Sequence, residues 1–452
     1  MRLLQGMIIL GLLPFGSSME PFTSLFFICI VIWTALAWPD AGIANPVPGN
    51  RLMGVLAMSV ALAAGVQLIP LPRSFVSALH PGALPVLESL PRQVGEWLPL
   101  SLAPGITVNS FLHAMALVLF FLTLMRYPMG KREVRGIVTA LLVSGAAQTA
   151  IGAARLLLPG NDFFLLFHKV DSPLPSIYLT GTFADNEGAA VFLGVVLLSG
   201  LGYWAAEAGL FSSREKKKQT LKGWILPGNI GKRHWLLLAA VFVGLILTHS
   251  RNGRWLCFGA VVALMTMGLF TQFARGARKS WRWAVLAAVL MVMIIGVRYT
   301  QPRFHQSQTG MTVSIRPVEE LKTMVRDFPV LGTGWGTFAH VNSLYLHRPE
   351  IHLSHARHEW LQVAIEGGVV SLGLMLSLLI VYCRGAWRTW TACNDRWLRA
   401  VSAGFFTASL LIWGSAAFYN PLRIPYLAFL GALLMALAAG IPAGQKEEQF
   451  KT

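Results

Sequence analysis

Apolar runs of about 20 residues recur along nearly the whole chain of 452 residues. A helix needs about 20 largely apolar residues to cross the roughly 30 Å of hydrocarbon in a bilayer. About twelve segments meet that condition, and they lie at 3–17, 20–38, 52–71, 108–126, 136–158, 188–211, 235–249, 255–274, 283–298, 360–383, 399–418 and 424–441. Charged residues make up 13% of the chain, against about 25% in soluble proteins, which excludes a soluble globular enzyme. The sequence therefore predicts an all-α polytopic membrane protein, with residues 1–452 in one transmembrane domain.

The basic residues predict how the chain is oriented in the membrane. Lys and Arg are enriched in cytoplasmic loops, and with the N-terminus inside, most of the 37 Lys and Arg residues fall on that side. Both termini are therefore predicted to be cytoplasmic. Two long segments then face outward, an irregular proline-containing loop at 72–107 and a larger loop at 299–358. The net charge of +17 is explained by these topology signals, so no nucleic-acid partner is predicted.

A polar turn, Thr248–Arg254, separates two apolar runs and departs from what a membrane span should contain. The predicted topology puts Arg251 and Arg254 at or just below the outer membrane surface. Ionisable groups at that depth usually face a cavity or a partner. A side chain that snorkels to the headgroups explains Arg254 more simply, whereas Arg251 is flanked by small and polar residues and is interpreted as functional.

The long outward loop contains a predicted amphipathic helix followed by a glycine-rich turn. Ser314 can cap a helix that carries Arg316 near its start and ends before Pro329, with apolar residues at helical spacing on one face. The turn Gly332–Gly336, which includes Trp335, matches neither the dinucleotide fingerprint nor a P-loop. A tight turn is therefore favoured over an anion cradle.

Three histidines at a spacing of three residues precede the next span, namely His352, His355 and His358. His355 and His358 can share a helix face, which is compatible with metal binding. However, Gln362 stands where an HExxH motif has its second histidine, and no third ligand is evident. A single histidine that moves a proton is favoured, because its ordinary pKa lies near neutrality. The sequence predicts no metal and no cofactor.

These polar segments are far apart along the chain, yet all of them face outward under one topology. Arginines together with a histidine suit a diphosphate leaving group, because guanidinium groups offer planar bidentate donors to phosphate oxygens without a metal. The histidine can then deprotonate an attacking sugar hydroxyl. A lipid-linked sugar diphosphate fits such a site, because its lipid tail requires an enzyme embedded in the membrane.

Four segments occur in the order seen in the O-antigen ligase/polymerase family, which the chain resembles from about residue 178 to residue 383. These segments are Gly181–Asn186, Ser250–Gly253, Asp327–Gly336 and His358–Gly368. The resemblance implies a bacterial inner-membrane glycosyltransferase with a long periplasmic loop, a periplasmic active site and a metal-independent reaction. The donor is an undecaprenyl-diphosphate-linked glycan. A ligase passes the glycan to lipid A-core, and a polymerase passes it to another lipid-linked glycan, with membrane lipids around the protein.

The resemblance also implies roles for particular residues. Arg251 and Arg316 would hold the diphosphate, and His358 would activate the acceptor hydroxyl. His355 competes with His358 for that role, and several loop arginines compete with Arg316, namely Arg303, Arg326, Arg348 and Arg357. We expect further substrate contacts from Arg254, Asp185, His355, Glu359 and Trp335.

The family pattern leaves the choice between polymerase and ligase open. Many members have His-Asn where this chain has His358-Glu359, and Asp185 opens a stretch that also departs from the common pattern. The first departure slightly favours a polymerase of O-antigen or exopolysaccharide. The alternative from another class is a secondary transporter of a small anion such as bicarbonate, although the matching pair of interrupted helices typical of transporters is not evident. A structural envelope subunit would leave Arg251 unexplained.

Overall fold

The computed structural model of the protein describes residues 1–12, 21–41, 48–80, 96–157, 178–208, 232–273, 318–345 and 355–449. The regular structure within these ranges is helical apart from one small sheet of two strands. The helices that overlap predicted spans are α1 (Arg2–Leu10), α2 (Phe22–Ala37), α3 (Pro48–Val66), α5 (Pro104–Arg126), α6 (Lys131–Leu157), α7 (Asn186–Glu207), α8 (Lys232–Leu247), α9 (Arg251–Phe273), α12 (Glu359–Ala392), α13 (Arg396–Ser415) and α14 (Pro425–Gln449). The other helices are α4 (Arg73–Leu79), α10 (Val318–Asp327) and α11 (Phe338–Tyr345).

The helices confirm the predicted all-α polytopic membrane fold. Five helices of the described ranges are long and apolar enough to cross a membrane, namely α5, α6, α7, α12 and α13. Shorter apolar helices occupy Phe22–Ala37, Arg51–Val66, Arg233–Leu247 and Pro425–Gly440. The span predicted at 283–298 lies outside the described residues. The run predicted at 3–17 is helical over Arg2–Leu10, and residues 13–17 are not described.

Helix α7 lies at the centre of the bundle. Of its most apolar stretch, 89% is buried inside the protein, and α6, α8, α9 and α13 all pack against it. Its closest neighbour is α13, because a Cβ atom on Gly202 would lie 2.6 Å from the Cα atom of Gly404. Small residues at a crossing let two helix backbones approach in this way. Near this crossing, Nε1 of Trp397 in α13 donates to Oε1 of Glu207 in α7 at 2.9 Å.

The outward segment predicted at 72–107 contains regular structure that its prolines do not indicate. Strands β1 (Pro70–Pro72) and β2 (Trp97–Pro99) pair antiparallel, with Leu71 opposite Leu98, and α4 follows β1 directly. Residues 81–95 are not described. Val76, Leu98 and Leu100 pack with Phe328 of the long loop, so the two segments predicted to face outward contact each other.

The long loop contains short amphipathic helices, as predicted. Helix α10 ends at Asp327, before Pro329, and the buried Leu321 and Met324 lie on one of its faces. These side chains pack with Phe338 of α11 and Ile365 of α12. The loop helix therefore rests on the protein itself. Ser314 and Arg316, at the predicted start of this helix, lie outside the described residues.

Candidate active site

Polar segments from distant parts of the chain meet at one end of the bundle. Asn186, at the start of α7, donates from Nδ2 to the carbonyl of Thr248 at 3.1 Å. The Tyr419 hydroxyl, after α13, donates to Asp185 at 2.8 Å. The amide of Glu359, at the start of α12, donates to the carbonyl of Ala416 at 2.9 Å. These contacts bring together 185–187, 248–254, 355–366 and 415–423, a region we call the site end.

A buried cluster of one arginine and two carboxylates lies at the site end. Arg423, in the short 3₁₀ turn Pro421–Arg423, places Nε 3.2 Å from Oε1 of Glu359 and Nη2 2.7 Å from Oε2 of Glu366. The arginine side chain is 15% exposed, and the carboxylates are 2% and 1% exposed. Although burial opposes ionisation, the charges of Glu366 and Glu359 raise the pKa of Arg423. Arg423 is therefore charged, and the cluster is largely shielded from water.

The glycine-rich turn binds the carboxylate of Glu366. The amides of Gly336 and Phe338 donate to its two oxygens at 2.9 and 3.2 Å, and Gln362 adds a third donor at 3.1 Å. The amide of Trp335 donates to Oε1 of Gln67 at 3.0 Å. The turn predicted from the sequence is present, and these amides are occupied by groups of the protein itself.

Helix α12 is broken where this turn contacts it. Gly368 has φ +65° and ψ −170° inside the helix, a conformation that is essentially restricted to glycine. The amides of Thr333 and Gly334 donate to the carbonyls of Ile365 and Glu366, and the amide of Val369 donates to the carbonyl of Pro329. The loop thus pairs with backbone groups that the break would otherwise leave without partners, as a break near a membrane requires.

Asp185 belongs to a second polar group at the site end. Its Oδ1 accepts from the amide of Gly188 at 2.7 Å, which caps α7, and from the hydroxyl of Tyr419. Burial first, and then the charge of Asp185, raise the pKa of Tyr419 well above its ordinary value, while Arg357 opposes this. Tyr419 therefore stays protonated and donates to Asp185, with Glu187 and Arg357 within electrostatic reach.

The turn that carries Arg251 and Arg254 lies beside this group. Ser250 begins α9 by accepting the amide of Gly253 at 3.1 Å, and Nε of Arg254 donates to the carbonyl of Ser250 at 3.2 Å. Both arginines are exposed. A small cavity connects the turn to α7 and α13, and its lining includes Glu187, Ser250, Asn252, Gly253, Ser415 and Tyr419. Arg251 thus lies at the surface of the site end.

His358 is the N-terminal cap of α12. Its Nδ1 accepts from the amide of Leu361 at 3.3 Å. A neutral imidazole that accepts at Nδ1 carries its proton on Nε2. The ring can therefore donate from Nε2 in this arrangement, and it can act as a base at Nε2 only after the cap contact opens.

The other predicted side chains surround the arginine cluster. His355 is exposed. Desolvation by the surrounding protein lowers its pKa, Arg423 lowers it further, and Glu366 and Asp185 raise it. The guanidinium of Arg423 lies 5.8 Å from the ring centroid of Trp335. The structure thus brings Glu359, Trp335, His355 and His358 to one end of the bundle with Asp185, and it leaves the predicted substrate contacts as predictions.

Strained backbone occurs in the turn that carries Arg251 and directly before His358. Of the described residues other than glycine, His249 and Arg357 have positive φ angles, +50° and +51°. His249 lies two residues before Arg251, and Arg357 lies directly before His358. Left-handed backbone at a residue that is not glycine costs roughly 1–3 kcal/mol and clusters at functional sites.

Sequence reasoning missed Arg423, Tyr419 and Gln67. Arg423 stands alone in the short connection between the last two predicted spans. A charge confined between two apolar helices and flanked by Pro421 and Pro425 was the available signal. Gln67 was hidden inside a predicted span, at a position where a polar side chain in the membrane needs a partner.

Fold and site together define a polytopic membrane protein that buries charge where its helices begin and break. The family model described as O-antigen ligase matches residues 236–376. This match confirms the resemblance to the O-antigen ligase/polymerase family and indicates a membrane glycosyltransferase of that type. It covers Arg251, the glycine-rich turn and His358, whereas Asp185 and Arg423 lie outside it. None of the curated proteins matches the chain.

Proposed function

We propose that the protein transfers a glycan from undecaprenyl diphosphate to the hydroxyl of an acceptor sugar, without a metal ion. The observation that carries the proposal is the meeting of the arginine turn at 248–254 with the histidine segment at 355–358 at one end of the bundle. Both segments begin helices, both contain strained backbone, and both lie within the family match. This end of the bundle therefore offers arginines that can bind a negatively charged leaving group and a histidine that can carry a proton.

In the proposed reaction the acceptor oxygen attacks the anomeric carbon of the donor glycan. The bond from that carbon to the diphosphate breaks, and undecaprenyl diphosphate leaves with the bonding electrons. Arg251 and Arg316 stabilise the charge that develops on the diphosphate, because each guanidinium can donate two hydrogen bonds to phosphate oxygens. His358 takes the proton of the acceptor hydroxyl after its cap contact with Leu361 opens.

The other predicted residues differ in exposure, and this difference suggests different roles for them. Arg254 and His355 are exposed and can contact the donor or acceptor directly. Glu359 is buried against Arg423, which favours positioning over direct contact. Of the two described rivals of Arg316, namely Arg326 and Arg357, we favour Arg357, because it lies within electrostatic reach of Tyr419 and directly precedes His358.

The distribution of Lys and Arg favours a site on the periplasmic side of the bacterial inner membrane, with both termini cytoplasmic. The acceptor is lipid A-core if the protein is a ligase, and another lipid-linked glycan if it is a polymerase. The His358-Glu359 pair, which stands where many family members have His-Asn, slightly favours a polymerase. A long product formed from the donor alone would support polymerase, and a product that requires lipid A-core would support ligase.

One observation favours a second candidate, a secondary transporter of a small anion such as bicarbonate. Broken helices form the substrate sites of many transporters, and α12 is broken at Gly368. Backbone groups at this break pair with the loop at 329–334, which occupies the position an ion would need. Transfer is therefore the better supported function.

Purified protein in proteoliposomes tests the proposal. With an undecaprenyl-diphosphate-linked glycan as donor, we expect glycan transfer that continues in excess EDTA. His358→Ala should lower kcat by at least about 100-fold, the range general-base catalysis supplies, and His355→Ala is the matched control because it competes for the same role. Arg251→Lys should raise the donor KM, since lysine keeps the charge but loses the bidentate geometry.

Two outcomes would contradict the proposal. Normal transfer by His358→Ala together with loss of transfer in His355→Ala would show that the base is His355 and not His358. Absence of transfer by the wild type, with bicarbonate uptake that Arg251→Ala abolishes, would favour transport.

A further inference from the structure

Arg423 bridges two carboxylates of one helix. Glu359 and Glu366 are seven residues apart on α12, close to two helical turns, so their side chains lie on the same face. The arginine reaches Glu359 with Nε and Glu366 with Nη2. It comes from the connection between α13 and α14, and it therefore ties that connection to the first two turns of α12.

Each carboxylate connects Arg423 to a different part of the site. Glu359 directly follows His358, and its Oε2 also accepts the amide of Leu422 at 3.2 Å. Glu366 accepts the amides of Gly336 and Phe338 in the long loop. One guanidinium thus sets the position of the helix start that carries His358 and of the loop turn that carries Trp335.

A contact with two carboxylates at once suits arginine better than lysine. The planar guanidinium presents donors in a fixed fork, whereas the lysine ammonium is a single compact charge on a flexible stem. Because the cluster is nearly excluded from water, a missing contact cannot be replaced by solvent without opening the site end.

We infer that Arg423 is a positioning residue of the transfer reaction, acting through Glu359 on His358 and through Glu366 on the glycine-rich turn. The inference rests on the proposed function. Arg423 does not touch the reacting atoms in this role, and its effect appears in kcat because a displacement of about 1 Å in a reacting group can lower the rate about 100-fold.

Steady-state transfer by Arg423→Lys, Glu359→Gln and the double variant tests the inference. We expect kcat to fall about 10-fold to 100-fold in Arg423→Lys, with the donor KM changed less than about twofold. The double variant should be no slower than the slower single variant, because both changes remove the same contact. Amide hydrogen exchange should accelerate at Gly336 and Phe338 in Glu366→Gln, which weakens the acceptor of both amides.

Asp395→Asn at the opposite end of α13 is the matched control. It alters an ion pair with Lys131 and a helix cap, so it should change stability while leaving kcat and exchange at Gly336 unchanged. If Arg423→Lys fails to fold, the charge-free variant R423M/E359Q/E366Q replaces it, and that variant should also transfer slowly.

Normal kcat in either Arg423 variant, measured on folded protein, would overturn the inference. So would strict additivity of the two single changes. The proposed function fails separately, because its failure is loss of transfer in the wild type or normal transfer in His358→Ala.

Discussion

The two ends of helices α7 and α13 carry ion pairs of opposite character. At the site end, Arg423 is 15% exposed and its carboxylate partners are 2% and 1% exposed. At the other end, which we call the far end, Lys131 pairs with Asp395 at 2.7 Å and Arg135 pairs with Glu207 at 3.0 Å. The two far-end cations are 51% and 52% exposed, whereas their carboxylate partners are 19% and 6% exposed.

This difference in burial indicates that the two sets of ion pairs have different roles. Exposed pairs are worth about 0–1 kcal/mol and are screened by salt. The far-end pairs therefore add little stability, and their half-exposed cations lose little hydration. Buried pairs require several kcal/mol of desolvation per ion, and apolar residues of similar size often hold helices equally well. A buried charged cluster is thus an expensive way to hold helices, which supports a role in the site.

Arg423→Met should give the largest loss of stability. It leaves Glu359 and Glu366 buried without their cation, and breaking a buried pair in this way costs about 3–5 kcal/mol. Equilibrium unfolding in mixed micelles measures the loss. In R423M/E359Q/E366Q most of the loss should be recovered, because no charge is then buried alone.

Equal stability of Arg423→Met and the wild type would remove the distinction between the two ends. It would mean that water reaches the carboxylates and that the cluster behaves like the exposed pairs at the far end.

The sequence predicts the spans better than it predicts this cluster. The span expected at 399–418 is found at Arg396–Ser415, and that expected at 136–158 is found at Lys131–Leu157. Hydrophobicity decides these elements locally, so their residues are enough to find them. The displaced ends follow polar caps, such as Asp395, whose side chain accepts the amides of Trp397 and Leu398.

The site depends on contacts that local patterns do not contain. The sequence predicts His358 and Arg251 as site residues because their neighbours resemble a family motif and because ionisable residues are rare near spans. Arg423 contacts Glu359 across 64 residues of chain, and Gln67 contacts Glu366 across 299. Hydrophobic periodicity also continues through Gly368, so the pattern alone gives no sign of the break in α12.

Gly368→Ala should be the next most destabilising change at the site end. Its backbone conformation costs a residue with a side chain about 1–3 kcal/mol, and an added Cβ would collide with the carbonyl oxygen of Val330. Gly373→Ala is the matched control on the same helix, since nothing lies within 4 Å of its added Cβ.

For Gly373→Ala we expect a gain of about 0.5–1 kcal/mol. Mixed-micelle unfolding of the two variants should thus give changes of opposite sign. Changes of the same sign would show that the loop at 329–334 does not hold the break in α12 closed.

Acid should weaken the contact between the segments predicted at 72–107 and 299–358 before it weakens the far end. Burial lowers the pKa of His80, which lies beside Phe328, from its ordinary 6.5 to about 4. The unfolded chain then binds a proton that the folded protein excludes, so stability is lost as the pH falls from about 6.5 toward 4. At about pH 5 the loss is about 2 kcal/mol relative to neutral pH.

His80→Phe should remove this part of the acid sensitivity, measured as the difference in unfolding free energy between about pH 7.5 and pH 5. His340→Phe, at an exposed histidine of the same loop region, should leave the difference unchanged. An unaltered acid response in His80→Phe would place the sensitivity elsewhere.

Lys131→Ala should have the smallest effect. Its ammonium is half exposed, and its pair with Asp395 is worth at most about 1 kcal/mol, with Arg132→Ala in the same turn as a control for the lost charge. The hydrogen bond from Lys131 lowers the pKa of Asp395 although burial opposes it. This part of the stability is present above the ordinary value of 3.8 and disappears as the pH falls below it, a window separate from that of His80.

If high salt abolishes the effect of Lys131→Ala while the cost of Arg423→Met persists, the two ends differ in access to water, because salt screens exposed pairs much more than buried ones.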